Sequence, residues 1–299
     1  MPENQPVETP PPRKPPRTAL AGTLMMAIAM TLIGLVDAIA KYNTASMHGL
    51  QVSWIYFVSM LLCLLLSIVC MPARLTFTLR TTQWKKQCLR GFCIAGSLSL
   101  LFTGLTWLPL AQATVISFTA PLFMLILAGP LLNEKVSGRM WLVVLVGLLG
   151  ALLVIRPGSA LFRWASLLPL AGAVFFALFN IVTRSIGTKD SLATTLFYTF
   201  AVATLVLSVP QAVVWSRPDT ISVLQLAAAG AMGVVGHLLI ARSLQQTAVS
   251  VVAPLNYVRL ICALTLGYWW FGEIPDVLSM IGAILIAGCG IYTVYYSTG

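Results

Sequence analysis

Apolar residues along this chain fall in long unbroken runs, and polar residues are confined to short breaks between them. The runs cover residues 19–40, 50–71, 91–108, 111–132, 140–155, 164–183, 192–215, 221–241, 247–271 and 277–296. A helix needs about 20 apolar residues, each rising ~1.5 Å, to cross the ~30 Å hydrocarbon core of a bilayer. The pattern therefore predicts an all-α polytopic membrane protein with ten transmembrane helices. The runs 91–108 and 140–155 are short for a crossing and must borrow flanking residues.

The pattern is written twice. The run 111–132 meets Asn133-Glu134-Lys135 and resumes to Ile155; the run 247–271 meets Gly272-Glu273-Ile274-Pro275-Asp276 and resumes to Tyr296. Glu134 and Glu273 are 139 residues apart, Gly150 and Gly290 140, Tyr56 and Tyr198 142, and Lys41 and Arg184 143, a drift that loop insertions produce. A duplicated unit with an odd number of crossings sits upside down relative to its copy, an arrangement typical of transporters. The predicted organisation is a tail at 1–18, a first five-helix repeat at 19–158 and a second at 159–299. The tail has seven prolines in its first 17 residues and little to bury, so it is expected to be disordered and cytosolic. The apolar run behind it is too long for a cleaved signal segment and is read as the retained first helix. Turns such as Trp107-Leu108-Pro109-Leu110 leave no room for a soluble ATPase or receptor head.

Composition supports this reading: 59% of residues are hydrophobic, 9% are charged and the mean hydropathy is +0.92. Soluble domains carry about a quarter charged residues. The net charge of +10 comes from the loops. With the first helix starting inside, thirteen Lys and Arg face the cytosol, and four (Lys41, Arg156, Arg163 and Arg217) face outward. That bias places both termini in the cytoplasm, and it explains the charge without a nucleic-acid partner. Cys63, Cys70, Cys88, Cys93, Cys262 and Cys289 have no metal-ligand spacing and read as small core residues. The sequence contains no phosphate-binding loop, His-Glu-x-x-His or Gly-x-Ser-x-Gly, so neither an enzyme nor a cofactor is indicated.

An ionisable residue within a transmembrane run is costly and is a functional candidate by default. Arg259 lies deep in the ninth run behind Asn256 and Tyr257, with Pro254 upstream freeing a backbone carbonyl. It reads either as a grip on an anionic or carbonyl group of a substrate, or as a structural guanidinium tied to carbonyls or to a carboxylate on another helix. Arg259→Ala is expected to abolish transport and leave the protein folded. His237, among the glycines of the eighth run, is a candidate for proton coupling or a satisfied hydrogen-bonding residue. Asp37 is a candidate coupling site, with an i, i+4 ion pair to Lys41 as the plainer reading. Ser117, Thr114, Asn180, Thr183, Tyr56 and Tyr198 offer hydrogen bonds inside the bundle, and Trp107 and Tyr257 could stack on a flat ligand. Trp269, Trp270, Tyr292, Tyr295 and Tyr296 read as interface-belt aromatics.

The segment 108–123, Leu-Pro-Leu-Ala-Gln-Ala-Thr-Val-Ile-Ser-Phe-Thr-Ala-Pro-Leu-Phe, resembles the fourth-helix signature of EamA-type carriers in the drug/metabolite transporter superfamily. So do Leu-Leu-Asn-Glu-Lys-Val at 131–136, Ile-Arg-Pro-Gly at 155–158, Val-Ala-Pro-Leu-Asn-Tyr-Val-Arg at 252–259 and Gly-Tyr-Trp-Trp-Phe-Gly-Glu-Ile-Pro-Asp at 267–276. Asn133 stands where the family usually has Gly. The resemblance implies two inverted five-helix halves around a central cavity that opens alternately to each side. It also implies a secondary transporter in the bacterial cell inner membrane; proton coupling is an expectation from His237 and Asp37, and the expected state is a monomer or homodimer. Its members carry vitamins such as riboflavin, S-adenosylmethionine, amino-acid derivatives, drugs and opine metallophores. The alternative of another class is a non-transporting membrane receptor or assembly subunit; a lipid-modifying enzyme is disfavoured because no nucleophile–base pair is present.

Overall fold

The structure, a computed structural model, describes residues 17–70, 77–132, 138–156, 163–186, 190–246 and 253–297. Among these residues all regular structure is helical. The helices are α1 (Arg17–Asn43), α2 (Gly49–Cys70), α3 (Trp84–Leu105), α4 (Leu110–Ser117), α5 (Ala120–Leu132) and α6 (Gly138–Ile155) in the first repeat. The second repeat holds α7 (Leu167–Ile186), α8 (Leu192–Val214), α9 (Thr220–Gln246), α10 (Val258–Phe271) and α11 (Val277–Ser297), with short 3-10 turns at Trp164–Ser166 and Ala253–Tyr257. Seven segments are long and apolar enough to cross a membrane, and Trp141–Ile155 and Val277–Cys289 are shorter apolar helices. Glu134 and Lys135 lie outside the described residues.

Three departures from the sequence expectation bear on function. α3 begins at Trp84, not at Gly91, so Arg90 lies inside a helix and not in a basic loop. The run 111–132 is two helices, α4 and α5, and within 247–271 a 3-10 turn precedes α10.

The two repeats interleave. α1 packs on α9, α3 on α7, α2 on α8 and α6 on α11. Exchanging the repeats turns the α1–α9 pair into α7–α3 and maps the other two pairs onto themselves. α2 and α8 run antiparallel: Trp54 Nε1 donates to Ser208 Oγ at 2.8 Å and Gln51 Nε2 to the Ser216 carbonyl at 2.6 Å. α6 and α11 do the same, with Arg156 at the end of one paired to Asp276 before the start of the other. Phe57, Met60, Leu64, Phe102 and Phe200 are fully buried where α2, α3 and α8 meet. In lipid no hydrophobic effect drives helices together, so close packing must do it. Gly230 and Gly233 of α9 provide this closeness: a Cβ at either would collide with Ser59 or Tyr56 of α2, respectively. Leu205, Val209, Val213 and Trp269 face outward.

Candidate functional site

Both helix breaks follow from proline chemistry, and they meet. Pro121 has no N–H to give the Ser117 carbonyl, and its ring crowds the preceding turn. α4 accordingly stops at Ser117, and Phe118 and Thr119 tighten into short turns, with Thr119 N donating to the Ile116 carbonyl at 3.0 Å. In the second repeat the 3-10 turn Ala253–Tyr257, which contains Pro254, plays the same part. Phe118 and Tyr257 occupy the same register as Glu134 and Glu273, 139 residues apart. Their rings stack with centroids 5.1 Å apart and planes 26° from parallel. Irregular backbone inside a membrane protein is tolerated where it is buried in protein or lines a cavity.

Immediately after this turn, Arg259 opens α10 and forms a two-pronged ion pair with Asp37 of α1. Nε lies 2.6 Å from Oδ2 and Nη2 3.0 Å from Oδ1. The Asp37 side chain is only 3% exposed. Gly34, one turn before Asp37, makes the pair possible, because a Cβ there would sit 2.6 Å from Cys262 Cβ and hold α1 away from α10. Tyr56 of α2 is buried within electrostatic reach of both charges. Ser117 and Asn256 adjoin the stacked rings; the Ser117 hydroxyl donates to the Ala113 carbonyl at 3.0 Å. Of the two readings of Arg259, the structure contains the tie to a carboxylate on another helix.

Lys41 does not pair with Asp37, which corrects the i, i+4 reading; its partner is Glu273 across the repeats. Lys41 Nζ also donates to the Leu108 carbonyl at 2.6 Å and lies over the Phe271 ring. Glu273 Oε2 accepts the Leu110 N–H at 2.7 Å, so the carboxylate caps α4, whose own N-cap residue Pro109 has no side chain to do so. Gly272 allows this geometry: its φ of 63° is left-handed and turns the chain back beneath α10. Arg156–Asp276 and the bond from Arg163 to the Trp107 carbonyl add two further links between repeats at this end. Above them opens a cavity of about 870 Å³ whose lining includes Lys41, Trp107, Arg163, Arg217, Asp219 and Glu273. Asp219 precedes α9, and hydrogen bonds from the Ser222 side chain and backbone hold its carboxyl below the usual carboxylate range.

A second polar cluster lies toward the opposite end. Arg90 of α3 is 6% exposed, and its guanidinium covers the Phe179 ring at 4.4 Å. Nε donates to Thr183 Oγ1 at 2.8 Å, and Nη1 donates to the Thr195 carbonyl at 3.3 Å and to Thr199 Oγ1. Asn180 lies one turn from Thr183 on α7, its amide donating to the Phe176 carbonyl at 2.7 Å. His237 lies within electrostatic reach of Arg90, its Nδ1 bonded to the Gly233 carbonyl at 2.8 Å and its ring edge-on to Phe200. Arg90 is hard to see in the sequence because Lys85, Lys86 and Arg90 together move the apparent helix start to Gly91. The signal against that start was the shortness of the run.

Two candidates lie apart from the Asp37–Arg259 pair and from the Arg90 cluster. Trp107 is 41% exposed at the Lys41 end and packs on Trp164. Tyr198 lies near the start of α8, its hydroxyl donating to the Leu79 carbonyl at 2.8 Å in an exposed position. Tyr198→Phe removes one exposed hydrogen bond, worth about 1 kcal/mol. It is expected to leave initial transport rates within about twofold of wild type, since surface substitutions of this kind change little. A tenfold loss in vesicle flux would return Tyr198 to the site.

Comparison with known proteins places this chain among carriers. The EamA-like transporter family matches the chain twice, over residues 20–156 and 163–296. The S-adenosylmethionine uptake transporter of Rickettsia bellii is 29% identical over 282 residues, covering 91% of this chain and 94% of that one. The riboflavin transporter of Vibrio cholerae is 29% identical over 276 residues, covering 89% and 90%. The pseudopaline exporter of Pseudomonas aeruginosa is 24% identical over 271 residues, covering 89% and 93%. A solved crystal structure with 18% sequence identity superposes with a TM-score of 0.63 over 92% of this chain and 97% of the other, a likeness of fold.

Proposed function

The chain belongs to the EamA-like transporter family, and from that premise we propose that it carries a small polar organic metabolite across the bacterial inner membrane by alternating access. It is a multi-pass membrane transporter and not an enzyme. In the proposed architecture ten crossings form two inverted halves with both termini cytoplasmic. The antiparallel α2–α8 and α6–α11 pairs support the inversion, and the excess of Lys and Arg on one side supports the orientation.

The observation that carries this reading is the meeting of two proline-broken helices beside a buried ion pair. Broken helices supply what an unbroken apolar bundle lacks: backbone carbonyls and helix ends at depth, able to bind a polar solute. Asn256, Tyr257 and Ser117 are the proposed solute contacts there, and Asp37 and His237 the groups proposed for proton coupling. S-adenosylmethionine, riboflavin and opine metallophores, the cargoes in the relatives' names, are the first solutes to test. Flux of one of them into proteoliposomes, absent from protein-free vesicles, is the expected result. A purified, folded protein that moves none of these solutes, nor other metabolites of their size, would favour the receptor or assembly-subunit reading.

On this orientation the Lys41–Glu273 pair closes the outer side. Glu273→Gln keeps the shape and removes the charge that holds Lys41 and caps α4. A hydrogen bond to a charged group contributes about 1.5–3 kcal/mol, so the open state should gain at least about tenfold in population. In a cysteine-free background carrying Ser117→Cys, labelling by a membrane-impermeant maleimide from the outside is expected to accelerate by about that factor. An unchanged labelling rate would remove the pair from the gate.

A further inference from the structure

Within the described residues Arg90 is a buried cation with no anion beside it. Each acid there is engaged elsewhere: Asp37 with Arg259, Glu273 with Lys41, Asp276 with Arg156, and Asp219 with Ser222. Asp190, the nearest through the chain of hydrogen bonds, accepts at Oδ2 from the Thr81 hydroxyl and the Gln87 amide. Arg90 lies six residues into α3, roughly 9 Å along it, at a depth where an unpaired charge needs a reason.

The guanidinium is oriented and only partly used. Thr183 and Thr199 give their hydroxyl protons to the Phe179 and Thr195 carbonyls, so their lone pairs are left to receive Arg90. Phe179 supports the planar face. A guanidinium has five N–H donors, and Nε and Nη1 account for three of them. The two on Nη2 have no partner among the described residues. A brace between α3, α7 and α8 would not require a fixed fork with one edge unspent. A fixed guanidinium edge is, however, what planar oxyanions bind.

We propose that Arg90 is the anchor for a carboxylate on the transported solute, which makes the cargo a carboxylate-bearing metabolite and not a neutral one. The assignment rests on the carrier reading above. It moves the anion-binding role from Arg259, whose charge Asp37 already meets, to Arg90, whose charge nothing in the described protein meets. His237 of α9 lies within electrostatic reach of Arg90, its Nδ1 bonded to the Gly233 carbonyl, and Asn180 lies one turn from Thr183 on α7. The guanidinium is held between α3, α7 and α8, and the lipid arm of the test below separates a solute oxyanion from the phosphate of a lipid headgroup.

The test uses the full chain in phosphatidylcholine nanodiscs, with acetate as the anion and acetamide as its neutral counterpart. The thermal midpoint of the wild type is expected to rise saturably with acetate and not with acetamide. Arg90→Gln is expected to weaken the apparent acetate affinity at least about tenfold, and Arg90→Lys, which keeps the charge and loses the fork, to weaken it less. A wild-type midpoint indifferent to acetate, an equal response to acetamide, or an undiminished response in Arg90→Gln would overturn the proposal. Where Arg90→Gln does not fold, Arg90→Lys carries the comparison, and an undiminished acetate affinity in it would likewise overturn the proposal. In phosphatidylglycerol nanodiscs the acetate response should persist; its loss, with a raised midpoint that depends on Arg90, would identify a lipid headgroup as the occupant and end the solute assignment. Saturable acetate binding without flux of any solute would leave the anion site standing and defeat the carrier reading.

Discussion

Asp37→Asn, with Arg259 left in place, is expected to abolish transport and to sharply reduce the amount of folded protein recovered from membranes. The Asp37 side chain is 3% exposed and holds Arg259 through two hydrogen bonds. Removing one partner of a buried ion pair costs about 3–5 kcal/mol, because the survivor is left desolvated and uncompensated. Against a total stability of about 5–15 kcal/mol, that loss is large enough to reduce yield. Arg259→Ala is expected to behave alike, leaving the Asp37 carboxylate stranded, so the folded but inactive Arg259→Ala protein expected from sequence gives way to an unstable one. The doubly neutral Asp37→Asn/Arg259→Gln protein separates structure from function: its folded yield should recover toward wild type and its transport should not. Yield is read by size-exclusion chromatography in detergent and transport by proteoliposome flux. Wild-type flux in the double variant would reduce the pair to scaffolding.

Pro121→Ala is expected to move the other way in stability and the same way in function. Alanine restores the N–H that the Ser117 carbonyl lacks and removes the ring that blocks a continuous helix from Leu110 to Leu132. A proline in a helix interior costs about 3 kcal/mol relative to alanine, so some of that difference should appear as a higher thermal midpoint. Straightening the segment would also turn Phe118 away from Tyr257, losing a stacked contact worth about 0.5–1.5 kcal/mol and closing the irregular backbone beside the ion pair. Transport should fall at least about tenfold, in line with the usual cost to activity when a strained functional element is relaxed. A variant that is both more stable and fully active would show that the break in the first repeat is dispensable.

Much of this protein was legible from residue order. Apolar runs near the length of a bilayer crossing locate most helices, because a membrane leaves no other way to satisfy the backbone. Repeat register identified Glu273 as a marked position and, at the same offset, pairs Phe118 with Tyr257. The resemblance at 108–123 and 252–276 led to the family that the comparisons return. Asp37 and Arg259 were each noticed for being charged within an apolar run. Their contact was not legible, since 222 residues separate them and the nearer Lys41 offered Asp37 a partner by helical spacing.

The sequence by itself therefore determined that the chain is an all-helical membrane protein, that it is a doubled unit, and which family it joins. These follow from local quantities: hydropathy over a helix length, spacing between copies, and the identity of short motifs. Only the tertiary structure decided which charges neutralise one another. It matched Lys41 to Glu273 and Asp37 to Arg259, and it left Arg90, hidden from sequence inside an unexpectedly long α3, without a carboxylate among the described residues. The physical reason is that a buried charge is governed by whatever shares its few ångströms of low dielectric, and those neighbours come from helices far apart in the chain.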